Sequence, residues 1–390
     1  IDENAVRITS YYGHGYTYYS MGEDCQYDAE LLAVNKENGY PSFVNPGSGT
    51  TSGSYWNATV SVKADGFQAD GIIFENSFNQ YVSVKAADDI IVKQSSAKEG
   101  TTPRAGMAAG DVTVQNKAYV ERAAALAIYN NISDVVFDNC KFVGRQDTLY
   151  GGKNVYAEFN QCSVYGGTDY IFGGMTAIFN KCDLVFNTSD DKNDVGYITA
   201  AQQTSGRGYL MYECHVTSTV PGVDTASAHT SKPGYFGRPW AADTSEVVFY
   251  NTTIDAADEY WEANTDIKAP GKSLIEAEGW NDSLSGKSAG MYEYGTTEKA
   301  TDYSAARVAW ATALEKPVLN DGTQISLEAF RKPVVEEGLY KVDLSAGLKK
   351  GTAYEGGISV LEDMPYKAVD GKGDEVGGVL YTGYVAGSNN

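Results

Sequence analysis

The stretch from Phe137 to Cys182 reads FDNCKFVGRQDTLYGGKNVYAEFNQCSVYGGTDYIFGGMTAIFNKC, and it repeats itself. Phe137-Asp-Asn-Cys140, Phe159-Asn-Gln-Cys162 and Phe179-Asn-Lys-Cys182 follow one another at spacings of 22 and 20 residues. Periods of that size belong to solenoids, in which each repeat buries its apolar face against its neighbours. Weaker echoes stand at Phe74-Glu-Asn-Ser77, Met211-Tyr-Glu-Cys214 and Phe249-Tyr-Asn-Thr252. A stack of coils running through most of the chain is therefore expected.

Two acidic residues fall at the same place in consecutive repeats. Asp147 lies seven residues after Cys140, and Asp169 lies seven residues after Cys162. In a parallel β-helix equivalent positions stack at the strand spacing of roughly 4.8 Å, which sets one carboxylate above the other. Like charges that close do not both ionise easily, so one pKa is expected to rise and the other to fall. Such a pair can offer a nucleophilic carboxylate and a protonated acid at one pH.

The 42 glycines and 29 tyrosines among 390 residues favour many short strands and tight turns. No apolar run is long enough to span a bilayer. A net charge of −21 argues against non-specific nucleic-acid binding and repels any polyanion at long range. An acidic ligand would need a locally basic groove, for which Arg104, Arg122, Arg145, Arg207 and Arg238 are the candidates. Of the five cysteines, Cys140, Cys162, Cys182 and Cys214 share one repeat position while Cys25 stands apart. Their spacing matches no zinc pattern, and small residues stacked inside a coil explain them better than disulfides. The chain opens at Ile1 on a strand-like segment, so a trimmed N-terminus is expected and the compartment is not directly readable.

Taken in order, residues 1–13 read as a strand and residues 16–55 as a long aromatic, glycine-rich irregular segment. Strands are expected at 58–62 and 71–76, a loop over 88–110, and a strand over 120–128 despite its alanines. The stack continues at 196–201 and 209–214. Gly234-Tyr-Phe-Gly-Arg-Pro-Trp240 interrupts it as an aromatic loop before a strand over 247–254. Helices are expected over 304–314 and 325–331. Beyond Pro333 the composition shifts to Gly, Asp and Lys with short alternating strands such as 338–344, which do not continue the repeat.

Gln146, Asp147 and a stacked Asp169 supply the parts of an acyl-transfer site. One carboxylate can attack an ester carbonyl, the neighbouring acid can protonate the leaving alcohol, and an amide N–H can hold the oxyanion. A polar ladder of this kind also occurs as plain solvent-facing structure. Arg238 can keep a nucleophilic carboxylate ionised and oriented, and Trp240 offers a flat face to a sugar ring or packs beside Pro239. With only His14, His215 and His229 and no nucleophile-elbow serine, a histidine-based triad is not indicated.

Gly144-Arg-Gln-Asp-Thr-Leu-Tyr150, Gly166-Gly-Thr-Asp-Tyr-Ile-Phe-Gly173 and Tyr235-Phe-Gly-Arg-Pro-Trp240 resemble, in order and spacing, the three signature segments of the pectin methylesterases, in their bacterial form. The resemblance spans residues 58–331. It implies an all-β, single-stranded right-handed parallel β-helix with long loops, a short C-terminal helical segment and an extra β tail. It further implies hydrolysis of galacturonate methyl esters in pectin without metal or cofactor. Carried over by position, Asp169 matches the nucleophile, Asp147 the acid and then base, Gln146 an oxyanion donor and Arg238 the orienting arginine. Trp240 matches the stacking tryptophan, and Arg122, Phe172 and Tyr150 are the further substrate-facing candidates. Arg122 stands where the family places a glutamine, and can serve the oxyanion or a neighbouring uronate. Gly167-Thr168 replaces the usual Thr-Val, Phe236 replaces an aliphatic residue, and the family's opening segment is missing.

A β-helix pectinesterase domain is expected over 1–332, its N-terminal cap missing, and the composition shift after Pro333 marks 333–390 as a β-rich appendage or partial accessory module. The resemblance also implies secretion and action on methylated homogalacturonan, while the acidic charge argues against nucleic acid, the lack of a long apolar run against membrane insertion, and a monomer is the default for a β-helix with covered ends. A β-helical pectin or pectate lyase and a non-catalytic polysaccharide-binding β-helix are the alternatives.

Overall fold

In the computed structural model, Phe137, Phe159 and Phe179 lie one above the next, their ring centroids 5.1 and 4.6 Å apart and their planes nearly parallel. Met211 and Phe249 continue the column on the next two strands, and all five side chains are buried. The structure describes residues 6–11, 13, 58–88, 107–116, 122–188, 194–220, 225, 232–257 and 271–333, with four two-residue strands beyond them.

Three parallel sheets form the walls. The ladder sheet, which carries the Phe column, has eight strands from Gln68–Asp70 to Thr312–Ala313. A second sheet of eight runs from Arg7–Ser10 to Thr297–Glu298. The site sheet has six: Val60–Val62, Leu126–Ile128, Leu149–Gly151, Ile171–Gly173, Tyr197–Ala201 and Tyr235–Gly237. From Val60 to Ile254 the chain visits the walls in turn, adding a strand to each on every circuit, and beyond that only the ladder and second sheets gain strands. That is a single-stranded parallel β-helix, in which parallel crossovers take the right-handed sense.

The bend from the ladder sheet to the second sheet is the same on every coil. Asn139, Gln161, Lys181, Glu213 and Asn251 all hold φ between 50° and 55°, and Gly71 and Gly295 occupy the equivalent position at 66° and 68°. The N–H at each bend donates to the coil above, as from Asn139 to the Asn160 carbonyl at 2.9 Å and from Gln161 to that of Asn180 at 2.9 Å. On four successive coils the next residue is the stacked cysteine: Cys140, Cys162, Cys182 and Cys214. Cys162, Cys182 and Cys214 donate to the carbonyls of Phe137, Phe159 and Phe179 one coil earlier, at 3.3, 3.1 and 3.1 Å. These thiols are free and buried, and burial pushes the Cys182 thiol well up.

The stack ends on ions. The inward columns pass from Phe249 to Glu293 and from Ile254 to Glu298, and the Arg307 guanidinium meets both carboxylates. Its Nε donates to Glu293 at 2.7 Å, its Nη1 to the Glu276 and Ala277 carbonyls, and its face lies 5.3 Å from the Phe236 ring centroid. Arg307 thus plugs this end of the core.

Several expectations change here. Phe74 pairs in register with Phe142, not with Phe137, so that echo belongs to the second sheet; Ala69 fills the earlier place in the Phe column. Tyr235–Gly237 pairs with Tyr197–Ala201 as the last strand of the site sheet, so the segment continues the stack before it loops away. The helix expected over 304–314 is absent: residues 303–308 are irregular and Thr312–Ala313 is a strand, because Arg307 must turn inward to the plug. The second expected helix is one turn, Leu327–Phe330, capped by the Ser326 hydroxyl. Sequence reading gave no sign of the short helix Val84–Asp88. Residues 16–55, Cys25, most of the 88–110 segment and 120–121 lie outside the described residues; the 120–128 strand is seen as Leu126–Ile128.

Pro333–Asn390 forms a separate compact unit. Its described residues make two antiparallel pairs, Lys341–Val342 with Ala368–Val369 and Thr352–Ala353 with Ser359–Val360.

Candidate active site

Asp147 and Asp169 each lie two residues before a strand of the site sheet, and the pairing of Leu149 with Ile171 sets them at equivalent positions on adjacent coils. The Asp147 N–H donates to the Thr168 carbonyl at 3.1 Å, tying one turn to the next. Both aspartates are buried and hold φ of 58° and 51°, a left-handed conformation that aspartate tolerates better than most residues. The turn is tight because glycine precedes each aspartate by three residues. A Cβ on Gly166 would stand 2.0 Å from the Tyr170 Cβ, and one on Gly144 2.6 Å from the Thr148 Oγ1.

Arg238 reaches back to this column from just beyond the last strand of the sheet. Its Nε donates to the Asp169 Oδ1 at 2.8 Å and its Nη2 to Oδ2 at 2.6 Å, a bidentate fork, while its Nη1 donates to the Ser283 Oγ at 3.2 Å. Charge-assisted pairs of this geometry are among the strongest side-chain contacts. Between the two coils lies Tyr197, whose ring centroid is 4.1 Å from the guanidinium carbon. Tyr197 occupies the column position of the aspartates on the next coil, since Ile171 pairs with Thr199.

Burial raises the Asp169 carboxyl above the ordinary aspartate value, and the Arg238 fork pulls against it without overcoming it. The sequence argument expected one member of the pair to fall. At Asp169 loss of solvent outweighs the guanidinium, so the group is a more basic carboxylate held in place by its partner. For Arg238 burial pulls the pKa down, and Asp169, Tyr197 and Asp147 together push it above its ordinary value.

The remaining candidates distribute unevenly. Tyr150 and Phe172 point outward from the site sheet and pack with Trp240 and Leu284; ring centroids are 5.0 Å from Tyr150 to Phe172 and 6.1 Å from Phe172 to Trp240. Phe172 is 1% exposed, so it backs this aromatic strip, and the half-buried Trp240 offers the accessible surface. Gln146, half-buried, precedes Asp147 and accepts the Ala123 N–H at its carbonyl. Arg122 is half-buried beside Ala123, one coil before Gln146.

Two other arginines serve structure. Arg145 is buried and donates to Thr225 and Gln115, and Arg207 pairs with Glu246 and Asp321. Neither supplies the locally basic groove expected of them, and Arg104 lies outside the described residues. Sequence reasoning missed Tyr197 and Ser283. The register of the repeat could have found Tyr197, whereas nothing in the sequence ties Ser283 to Arg238.

A family model described as Pectinesterase matches residues 96–314. The chain belongs to the pectinesterase family. Among its relatives are a probable pectinesterase/pectinesterase inhibitor of Arabidopsis thaliana, 27% identical over 220 residues covering 54% of this chain and 33% of that protein, and a probable pectinesterase A of Aspergillus fumigatus, 31% identical over 191 residues covering 48% and 49%. The chain thus spans half or less of these pectinesterases' length. The solved pectin methylesterase of Yersinia enterocolitica is similar at 21% identity and a TM-score of 0.48, covering 79% of each chain.

Proposed function

We propose that this protein hydrolyses the methyl esters of galacturonate units in pectin, with Asp169 as nucleophile and Asp147 as acid and then base. The observation that carries this reading is the bidentate Arg238–Asp169 fork, with Asp147 at the equivalent position one coil away and the Trp240 strip on the same wall. Family membership supports the substrate class.

In this mechanism the Asp169 carboxylate attacks the ester carbonyl carbon. Arg238 holds the attacking group in line, and the Gln146 amide N–H, joined by Arg122, takes the charge that gathers on the carbonyl oxygen. Asp147 gives its proton to the departing methoxide, releasing methanol and leaving the uronate acyl group on Asp169. Asp147, now a carboxylate, takes a proton from water as the hydroxyl attacks the acyl carbon. The C–O bond to Asp169 breaks, Asp169 returns to a carboxylate and Asp147 to its acid, and the uronic acid departs and gives its remaining proton to solvent as uronate. Trp240, backed by Phe172 and Tyr150, gives the sugar ring a face to lie on.

The same reading assigns the esterase to residues 1–332 and an accessory role to 333–390. It also has the protein act outside the cell, as a monomer. Methanol release from highly methylated pectin, with ultraviolet detection of unsaturated ends in the same sample, tests it. Methanol without unsaturated ends is expected. Unsaturated ends without methanol would replace the mechanism with a lyase, and neither signal would leave a polysaccharide-binding β-helix.

A further inference from the structure

The site-sheet register places Asp147, Asp169, Tyr197 and Tyr235 in one column on four successive coils. Arg238 follows Tyr235 by three residues, yet its fork closes on Asp169, two coils back. A span of two strand spacings, roughly 9–10 Å, leaves the guanidinium to cross the intervening coil. What it crosses there is the Tyr197 ring, at 4.1 Å. That ring is in turn braced by Tyr235, with centroids 5.4 Å apart and planes 13° from parallel.

We propose that Tyr197 is a positioning residue, whose ring face seats the Arg238 guanidinium so that its fork stays closed on Asp169. The inference rests on the esterase reading above and adds to it a residue that the signature segments do not contain. An arginine side chain has several rotatable bonds, and its hydrogen bonds to Asp169 and Ser283 hold the guanidinium by its edge and leave its face to be supported by something else. A flat π-face beneath the plane supplies that support, and attracts the charge as well. The hydroxyl is not needed for this, so the phenyl face alone should suffice. The charged and titratable groups around the fork are Asp147 on the coil before, Tyr197 and Tyr235 on the coils after, and Glu276 and Glu278, which act on Tyr235.

The test compares Tyr197→Leu and Tyr197→Phe by methanol release against pH. Tyr197→Leu is expected to lower kcat roughly 3- to 30-fold, the range of a partly desolvated cation–π contact, with KM near wild type. Because a loosened fork pulls less on Asp169, the acid limb of kcat/KM should also move to higher pH. Tyr197→Phe should keep both the rate and the limb. An unmoved limb in a folded Tyr197→Leu, or equal losses in both variants, would overturn the role. Should Tyr197→Leu not fold, Tyr197→Trp carries the test, since its stronger face should leave the limb in place or lower it, and a raised limb would refute the proposal. Asp169→Asn in the same assay separates the two claims: full methanol release from it would leave the protein an esterase but remove Asp169 as its nucleophile, and the role of Tyr197 with it, whereas loss of release in Asp169→Asn with an unmoved limb in Tyr197→Leu would overturn the role of Tyr197 alone.

Discussion

The ladder sheet and the site sheet are built by the same coils, yet one stacks phenylalanines and the other stacks carboxylates. In the first, each added copy of the repeat gains from the copy below: Phe159 lies face to face with Phe137 and Phe179, and each thiol finds a carbonyl one coil down. In the second, repetition works against the chain, because two carboxylates at strand spacing repel and burial deprives them of solvent. The column accepts the pair only once. On the following coil the position is Tyr197, and Arg238 folds back over it to neutralise Asp169. The apolar wall sets the register, and the polar wall inherits from it a juxtaposition that it would not choose.

If this division holds, the two walls can be broken separately. Asp169→Asn should lower kcat by at least about 10³-fold, as removal of a nucleophile does, while leaving the denaturant midpoint near wild type. A collapse of stability in that variant would mean the carboxylate pair is part of the scaffold. Phe159→Ala should do the reverse, costing about 3–5 kcal/mol in urea unfolding while the folded protein keeps its KM. The pH dependence sharpens the contrast. Asp169 must be ionised to attack, and burial raises its pKa, so kcat/KM should climb with pH through a value above that of an ordinary aspartate. The sign for stability is opposite: a raised carboxyl favours the folded state below its unfolded pKa, and that contribution is lost as pH rises through the folded one. A rate profile whose acid limb lies below the ordinary aspartate range would show that the guanidinium, not burial, governs the site. The smallest effect concerns the shared bend. Gln161 holds φ of 51°, so Gln161→Gly should stabilise by about 0.5–1 kcal/mol in the same unfolding experiment, relief of left-handed strain outweighing the glycine's added chain entropy. A loss instead would assign the Gln161 side chain a role of its own.

What was legible in the sequence follows the same line. The Phe-and-Cys repeat announced the stack because buried rings of one size have few ways to pile up, and Asp147 and Asp169 could be placed because they share an offset within it. The pattern of one apolar, two polar and one small residue was less specific. It fits the wall that holds Phe74 as well as the wall that holds Phe137, and only strand pairing separates them. Residues 304–314 read as helix because their local composition suits one, while Arg307 answers to Glu293 and Glu298 on other turns of the chain. Ser283 meets Arg238 across 45 residues by loop geometry that no periodicity encodes.

The Arg307 plug has a consequence for the molecule among its own copies. A β-helix is a one-dimensional lattice, and a bare end would present open strand edges around an apolar disc, which is the template a growing fibril needs. Where Phe249 and Ile254 would ask for another ring and another branched side chain, the next layer offers Glu293, Glu298 and a guanidinium already satisfied by them. A further apolar coil stacked on those columns would have to strip solvent and partners from those charges to dock. The ion cluster therefore closes the apolar columns with a layer that offers a neighbouring copy no matching surface to extend.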